Sequence, residues 1–414
     1  MAEFPFAELT ANQLPFGKRD EMYAALHQWP EPTFRHSSGL RLVWKYSDAR
    51  ELLEANASAI SNSNSLDPLV GYPRIVANPG AVQAFLRHLM PPPAKATANL
   101  GDDIRHKLVW DTLAGPTGHF TVATTDREER ADSLAAHFHN ARAELNAGGR
   151  TTLDVTRLSI SFATRVTGSA VGLPPDQWPQ VAIWSGAQSG LLGQNMRGSD
   201  LAKAVTALGQ LFTVSNRVVR SAGHPNADGF ARRLHDAGLP RRIAVSAMAN
   251  SLAAGVHTVA GTIQQGVQRL LGDPDRVWWT MLDDATRARQ VAAKILQLDP
   301  GLVAWKRRTT TAVTLRSGTT LPKGPVLIMF AAANRDPEVF RNPLQLGDHG
   351  KIPLTFGFGK HVCPGKSLAT LAVEIFLREL HALAPHAELS TPAASVSTRK
   401  ADLLFSGADV VVSM

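Results

Sequence analysis

The chain has 414 residues, 44% of them hydrophobic, so it can bury a large core and is neither a disordered nor a fibrous sequence. It carries a formal charge of +8 and one cysteine, which excludes an internal disulfide framework. The basic residues come in short pairs such as Arg232-Arg233 and Arg241-Arg242, with no zinc spacing and no aromatic RNA-binding signature, so the charge reads as a solvated surface and not as a nucleic-acid site.

Leu40–Tyr46 alternates as a short strand, and Ser47-Asp48 is placed to cap a helix over Ala49–Asn56. Residues 57–103 are rich in Ser, Asn, Pro and Gly and read as irregular, apart from a helix over Pro79–Met90. A helical pattern returns over residues 129–146, an apolar stretch runs over Leu153–Val171, and Gly172-Leu173-Pro174-Pro175 breaks it. Helices are expected over 199–221 and 240–271. The second is long and apolar on most faces, which predicts a central, buried position. A helix over 283–298 ends at Asp299-Pro300. Thr309–Leu315, Thr319–Leu321 and Val326–Phe330 are strand-like, and a last helix covers Gly365–Ala384. No internal repeat is present. No basic region followed by an apolar run opens the chain, and no stretch is expected to cross a bilayer, so the reading is cytoplasmic with no membrane partner.

The lone Cys363 lies in Phe356-Gly357-Phe358-Gly359-Lys360-His361-Val362-Cys363-Pro364-Gly365. A lone cysteine is ordinarily a small buried hydrophobe. Here glycines permit tight turns around it, and a lysine and a histidine precede it, which favours a thiolate and nearby anions. The pattern Phe-x-x-Gly-x-x-x-Cys-x-Gly, with Phe356, Gly359, Cys363 and Gly365 at its fixed positions, resembles the haem-ligand loop of the cytochrome P450 superfamily. Two more segments resemble the same family in the same order. Ala332–Pro337 with Phe340 and Pro343 matches the meander before the loop, and Ala254-Gly255-Val256-His257-Thr258-Val259 matches the oxygen-binding segment of the long helix.

The resemblance implies one mainly α domain over residues 1–414, an α-rich prism with small β-sheets. It implies haem b, with Cys363 as the axial thiolate and the metal ligand. It implies oxidation of a small organic molecule in bacterial specialised metabolism, by hydroxylation, epoxidation or oxidative coupling. It also implies a ferredoxin-type electron donor, for which Lys360 and Lys366 are the candidate docking residues. Ala254, Gly255 and Thr258 share one helix face by i, i+3, i+4 spacing. In the family Thr258 would serve the oxygen side, whereas a hydroxyl bonded back to the preceding turn is the structural alternative. The haem carboxylates need cations or donors. By resemblance these are His361, Arg307 (Arg308 is one residue off register) and His106. His106 pairs with Trp110 in one register of the helix, and Arg105 with Val109 in the other.

The chain departs from the family at two places. His257 stands where the distal acid belongs; an imidazole can move protons near its own pKa, or simply be a helix residue. The Glu-x-x-Arg register reads Lys294-Ile295-Leu296-Gln297, a paired loss that points to a re-formed core, and Glu338–Arg341 copies its letters in the meander as a decoy. These losses leave two alternatives: an accessory protein that helps a glycosyltransferase, or a peroxide-dependent or non-oxygenating haem enzyme. Substrate contacts are expected from residues 60–100 and 185–220. Leu191, Leu192 and Met196 are candidates for the wall, and Arg197 is the candidate partner of a carboxylate-bearing substrate.

Overall fold

The computed structural model describes residues 4–5, 16–54, 59–62, 69–90, 103–145, 151–223, 229–347, 350–391 and 402–414. The helices, in chain order, are α1 (Phe16–His27), α2 (Tyr46–Glu54), α3 (Gly71–Val76), α4 (Pro79–Arg87), α5 (Asp103–Ala114), α6 (Arg127–Leu145), α7 (Val155–Ala170) and α8 (Trp178–Gly193). They continue as α9 (Gly198–Ser221), α10 (Gly229–Asp236), α11 (Arg241–Gly272), α12 (Val277–Thr280), α13 (Ala285–Leu298), α14 (Phe330–Ala333) and α15 (Lys366–Leu383). The strands are β1 (Thr33–Arg35), β2 (Arg41–Val43), β3 (Ile60–Ser61), β4 (Thr152–Asp154), β5 (Trp305–Thr309), β6 (Val313–Thr314), β7 (Thr320–Leu321), β8 (Gly324–Ile328), β9 (Glu388–Leu389) and β10 (Val411–Ser413).

Strands β1-β2-β8-β5-β3 form one sheet, in which only β2 and β8 run parallel, and β4-β10-β9 and β6-β7 form two smaller ones. Side-chain caps fix several helix starts. Asn78, Asp154 and Asp284 accept from Ala81, Arg157 and Arg287 backbone N–H at 3.0, 2.9 and 2.8 Å.

Helix α2 begins at Tyr46, three residues before the expected start. Its cap is not local: Asp336 Oδ2 accepts the Tyr46 N–H at 2.8 Å, while Asp48 is buried inside the helix and accepts from Thr319 Oγ1 at 3.0 Å. Strand β5 occupies Trp305–Thr309, earlier than the expected Thr309–Leu315, because consecutive cations hide the alternation of that segment. Helix α8 had no helix expectation; glycines 186, 190 and 193 weaken its propensity. They are there for packing. A Cβ on Gly190 would lie 2.9 Å from Met196 Sδ, and one on Gly193 would overlap the Asp402 carboxylate.

Helix α11 corrects the expectation that no stretch is long and apolar enough to cross a bilayer, since an 18-residue window within it reaches a mean hydropathy of 1.3. It is instead the central helix, packed against α7, α8, α9, α13 and α15. Its C-terminal half joins α6, α7, α13 and α15 in one hydrophobic core, and its N-terminal half joins α4, α8, α9 and α10 in another.

Candidate active site

A cavity of about 510 Å³ separates α11 from the cysteine loop. Ala254, Gly255 and Thr258 face it from α11, and Phe356, Gly357, His361, Cys363 and Gly365 face it from the loop. Leu368, Ala369 and Ala372 of α15 complete that side.

The loop is built by local turns. Gly357 and Gly359 adopt φ of 72° and 71°, which a side chain resists. Phe356 C=O accepts the Cys363 N–H at 2.8 Å, closing the turn beneath the thiol. Helix α15 starts three residues later, so its positive end lies beside the sulfur. Burial raises the thiol pKa, and the Gly365 N–H and the Lys366 charge pull it back. Of the predicted glycines, Gly365 borders the cavity, but Gly359 does not. A Cβ there would meet Glu54 Cα at 2.9 Å, so Gly359 seats the loop on α2, and Gly357 is the glycine that approaches the cavity.

Three basic groups gather at one end. His106 Nε2 lies 3.1 Å from His361 Nδ1, and the His106 ring stacks on Trp110 at 4.2 Å between centroids. Trp110 Nε1 donates to Val362 C=O at 2.7 Å. The alternative register fails, because Val109 is a fully buried core residue. Strand alternation decides between the two arginines: Arg307 turns to the cavity with Trp305, and Arg308 is not among the lining residues. Arg307 Nη1 donates to Asn62 Oδ1 at 2.9 Å. Burial lowers the Arg307 pKa to about 10. Burial, with Arg307, His106 and Lys360 nearby, lowers His361 to about 3. No carboxylate lines the cavity among the described residues. One buried cation, Arg307, beside the His361 imidazole and without an anion at the end of an apolar chamber, with a thiol in its wall and with His106 behind His361, fits a flat apolar cofactor that bears carboxylates and a thiolate-binding metal.

On the α11 side, Thr258 Oγ1 donates to Ala254 C=O at 2.6 Å, the structural alternative for this hydroxyl, while still facing the cavity. Gly255 makes room for more than a ligand: a Cβ there would lie 2.6 Å from Thr167 Oγ1 of α7. His257 is displaced from its predicted role. It is buried and directed at α8, with Nε2 3.4 Å from Ala182 C=O, and it does not line the cavity. The His257 side chain points away from the cavity face that Thr258 shares with Ala254 and Gly255.

Leu191 and Leu192 line the cavity, with Tyr72, Phe85, Met90, Leu208, Phe212 and Phe405. Met196 does not line it but packs on Gly190, and Arg197 is exposed at the start of α9, so neither meets a substrate carboxylate there. Residues 63–68 and 91–102, part of the expected substrate region, lie outside the described residues.

The register of the missing Glu-x-x-Arg is occupied by a new lattice. Lys294 Nζ donates to Gln297 Oε1 at 3.0 Å and to Pro343 C=O at 3.2 Å. Gln297 Nε2 donates to Asn334 C=O, and Asn334 Nδ2 returns a bond to Gln297 C=O, both at 2.9 Å. Asn334 Oδ1 then accepts the Leu354 N–H at 2.6 Å, two residues before Phe356. The meander is thus still tied to the loop, by amides in place of charges. Glu338 is an exposed partner of Lys45 at 3.0 Å, as a decoy should be.

A profile of the cytochrome P450 family matches residues 257–380. Cytochrome P450 130 of Mycobacterium tuberculosis is 26% identical, over 65% of this chain and 66% of its own length. Cytochrome P450-terp of a Pseudomonas species is 32% identical over 35% of this chain and 34% of its own. Among solved structures, cytochrome P450 CREJ in complex with (4-ethylphenyl) dihydrogen phosphate superposes with a TM-score of 0.81 at 19% identity, covering 97% of this chain and 98% of that one.

Proposed function

The chain belongs to the cytochrome P450 superfamily of monooxygenases, as a diverged member of the bacterial type, and on that premise we propose that it is a haem-thiolate monooxygenase of a small organic molecule. The observation that carries this is the Cys363 thiol in the wall of an apolar cavity where the buried Arg307 and the His361 imidazole face a lining that holds no carboxylate among the described residues. The family's cofactor is haem, and we assign haem b. Bound haem would supply the redox centre, with the Cys363 thiolate donating electron density that favours O–O cleavage.

The chain's own residues divide the remaining work. Arg307, His361 and His106 would hold the haem carboxylates, with Asn62 orienting Arg307 and Trp110 orienting His106. Cys363 is kept ready by the closed turn and the start of α15. Thr258 presents hydroxyl lone pairs to the cavity while its proton is committed to Ala254, so it accepts a hydrogen bond first and passes a proton only after rotating. His257 is a packing residue of α11. The lining is aromatic and aliphatic around Thr258, which favours a neutral reacting portion of the substrate and excludes water from it. Lys360 and Lys366 flank the loop and form the docking site for an acidic ferredoxin. Low identity to the relatives, together with the rebuilt motifs, supports a substrate of its own and a setting in cytoplasmic specialised metabolism. The lost Glu-x-x-Arg pair and distal acid favour the accessory reading, and the intact Cys363 loop argues against it.

Titrating the purified protein with haem tests the proposal. One equivalent should bind, with affinity reduced about tenfold by Arg307→Ala, as for loss of a buried charge partner. Colourless protein after expression with ample haem would contradict it and restore the accessory reading. Thr258→Ala should raise the peroxide released per electron consumed.

A further inference from the structure

Charge is distributed unevenly along this chain. Residues 68–101, 177–226 and 237–272 together hold ten lysines and arginines and one acid, Asp200. The rest of the sequence holds thirty-three against thirty-four, so these stretches account for the whole net charge. Most of their described residues fold into one body, whereas Arg269 of the second half of α11 is buried and paired in the other core. Helices α4, α8, α9 and the first half of α11 share a hydrophobic core, and Phe85, Met90, Leu208 and Phe212 line the cavity from it.

The cations of this body lie outside it. Arg87, Arg197, Lys203, Arg217, Arg220, Arg241 and Arg242 are all exposed, and none forms an ion pair among the described residues. The same body carries the most exposed large apolar side chains among the described residues: Leu89 at 88%, Val76 at 72%, Leu86 at 70% and Ile183 at 62%. Leu89 follows α4 with φ of 48°, a left-handed conformation that glycine adopts freely and leucine resists. A strained leucine almost fully in water stabilises nothing within the chain. Packing joins these features into one surface. His88 Nδ1 meets Thr213 Oγ1 at 2.8 Å, which sets the end of α4 against the middle of α9, one turn before Arg217.

We propose that the end of α4 and the outer face of α9 form a docking surface for an acidic protein, seated behind the cavity wall made by Phe85, Met90, Leu208 and Phe212. Exposed leucines ringed by arginines have the composition of a protein interface, where arginine is enriched and lysine depleted. Six of the seven exposed cations are arginines, whose planar fork pairs with carboxylates at two points. A nucleic-acid duplex offers phosphates but little apolar surface for Leu86 and Leu89. An anionic membrane favours aromatic anchors, and none is among the exposed large apolar side chains of this body. The partner would cover the substrate side of the molecule, away from the proposed ferredoxin site, and the proposal does not depend on haem.

The test uses a labelled 20-residue peptide of glutamate and leucine patterned as an amphipathic helix, with fluorescence anisotropy on the full-length protein. Arg217→Glu with Arg220→Glu should weaken binding about tenfold or more, and added salt should weaken it further. The same charge change on α6 and α7, Arg130→Glu with Arg157→Glu, should change it less than about twofold. Leu89→Gly relieves the backbone, so it should leave the melting temperature unchanged or raised while weakening the peptide several-fold. Equal losses from both double variants, or full binding by Leu89→Gly, would overturn the proposal. So would tighter binding, in the same salt, to phosphatidylserine vesicles or to a DNA duplex.

Discussion

The two hydrophobic cores that meet along α11 treat charge in opposite ways. At the C-terminal end of that helix, buried charges are matched. Arg269 bonds to Asp20 at 3.0 and 3.1 Å and to Asp299 at 3.2 Å, Arg19 reaches Asp299 at 3.0 Å, and Arg335 reaches Asp20 at 2.7 Å. Burial alone would raise Asp299, but Arg269, Arg19 and Arg335 hold it below the usual carboxylate range. Around the N-terminal half, the cations of α4, α9 and the start of α11 are exposed and form no ion pair among the described residues. Matched buried charge fixes a structure and is costly to break; unmatched surface charge does little for folding and is available to a partner.

The comparison is sharpest in a pair of variants. Asp299→Ala leaves three buried arginines short of an anion and should destabilise the protein by about 3–5 kcal/mol, read from urea unfolding. Arg217→Glu with Arg220→Glu should change stability by no more than about 0.5 kcal/mol, since both side chains are exposed. Similar losses in both would erase the distinction.

Next in size is the amide lattice that stands in for a charged pair. Gln297→Ala strands Lys294 and the Asn334 carbonyl, and should cost about 2 kcal/mol of stability. Lys294→Glu with Gln297→Arg should recover more than either single change, as expected of two positions that act as a unit.

How much of this was legible beforehand depended on the kind of signal. The cysteine loop, α11 and the cluster of His106, His361 and Arg307 were readable, because glycines, small residues and a lone thiol leave marks along the chain. Asn62 was not singled out, because it acts through a contact with a distant segment, Arg307. The sequence leaves His257 open between a proton shuttle and a helix residue, and its burial against α8 depends on packing that the letters of a motif do not carry. The start of α2 was misread because its cap, Asp336, lies 290 residues away.

A pH effect should follow from His361. The folded apoprotein keeps it neutral down to about pH 3, while the unfolded chain takes up a proton near the ordinary 6.5. The unfolded state therefore binds more protons between these values, and stability is full above about pH 6.5 and falls as pH drops below it. His361→Gln should flatten that part of the curve, and bound haem, by supplying anions, should shallow it. A smaller effect than that of the amide lattice is expected at the loop glycine: Gly359→Ala, at φ of 71° and against α2, should cost about 1–2 kcal/mol.

The most direct measurement is the absorption spectrum of the reduced protein under carbon monoxide. Wild type should show the red-shifted Soret band of thiolate-ligated haem, and Cys363→Ala should lose it while still folding. A wild-type spectrum without that band, or the same band in Cys363→Ala, would contradict the assignment of Cys363 as the haem ligand.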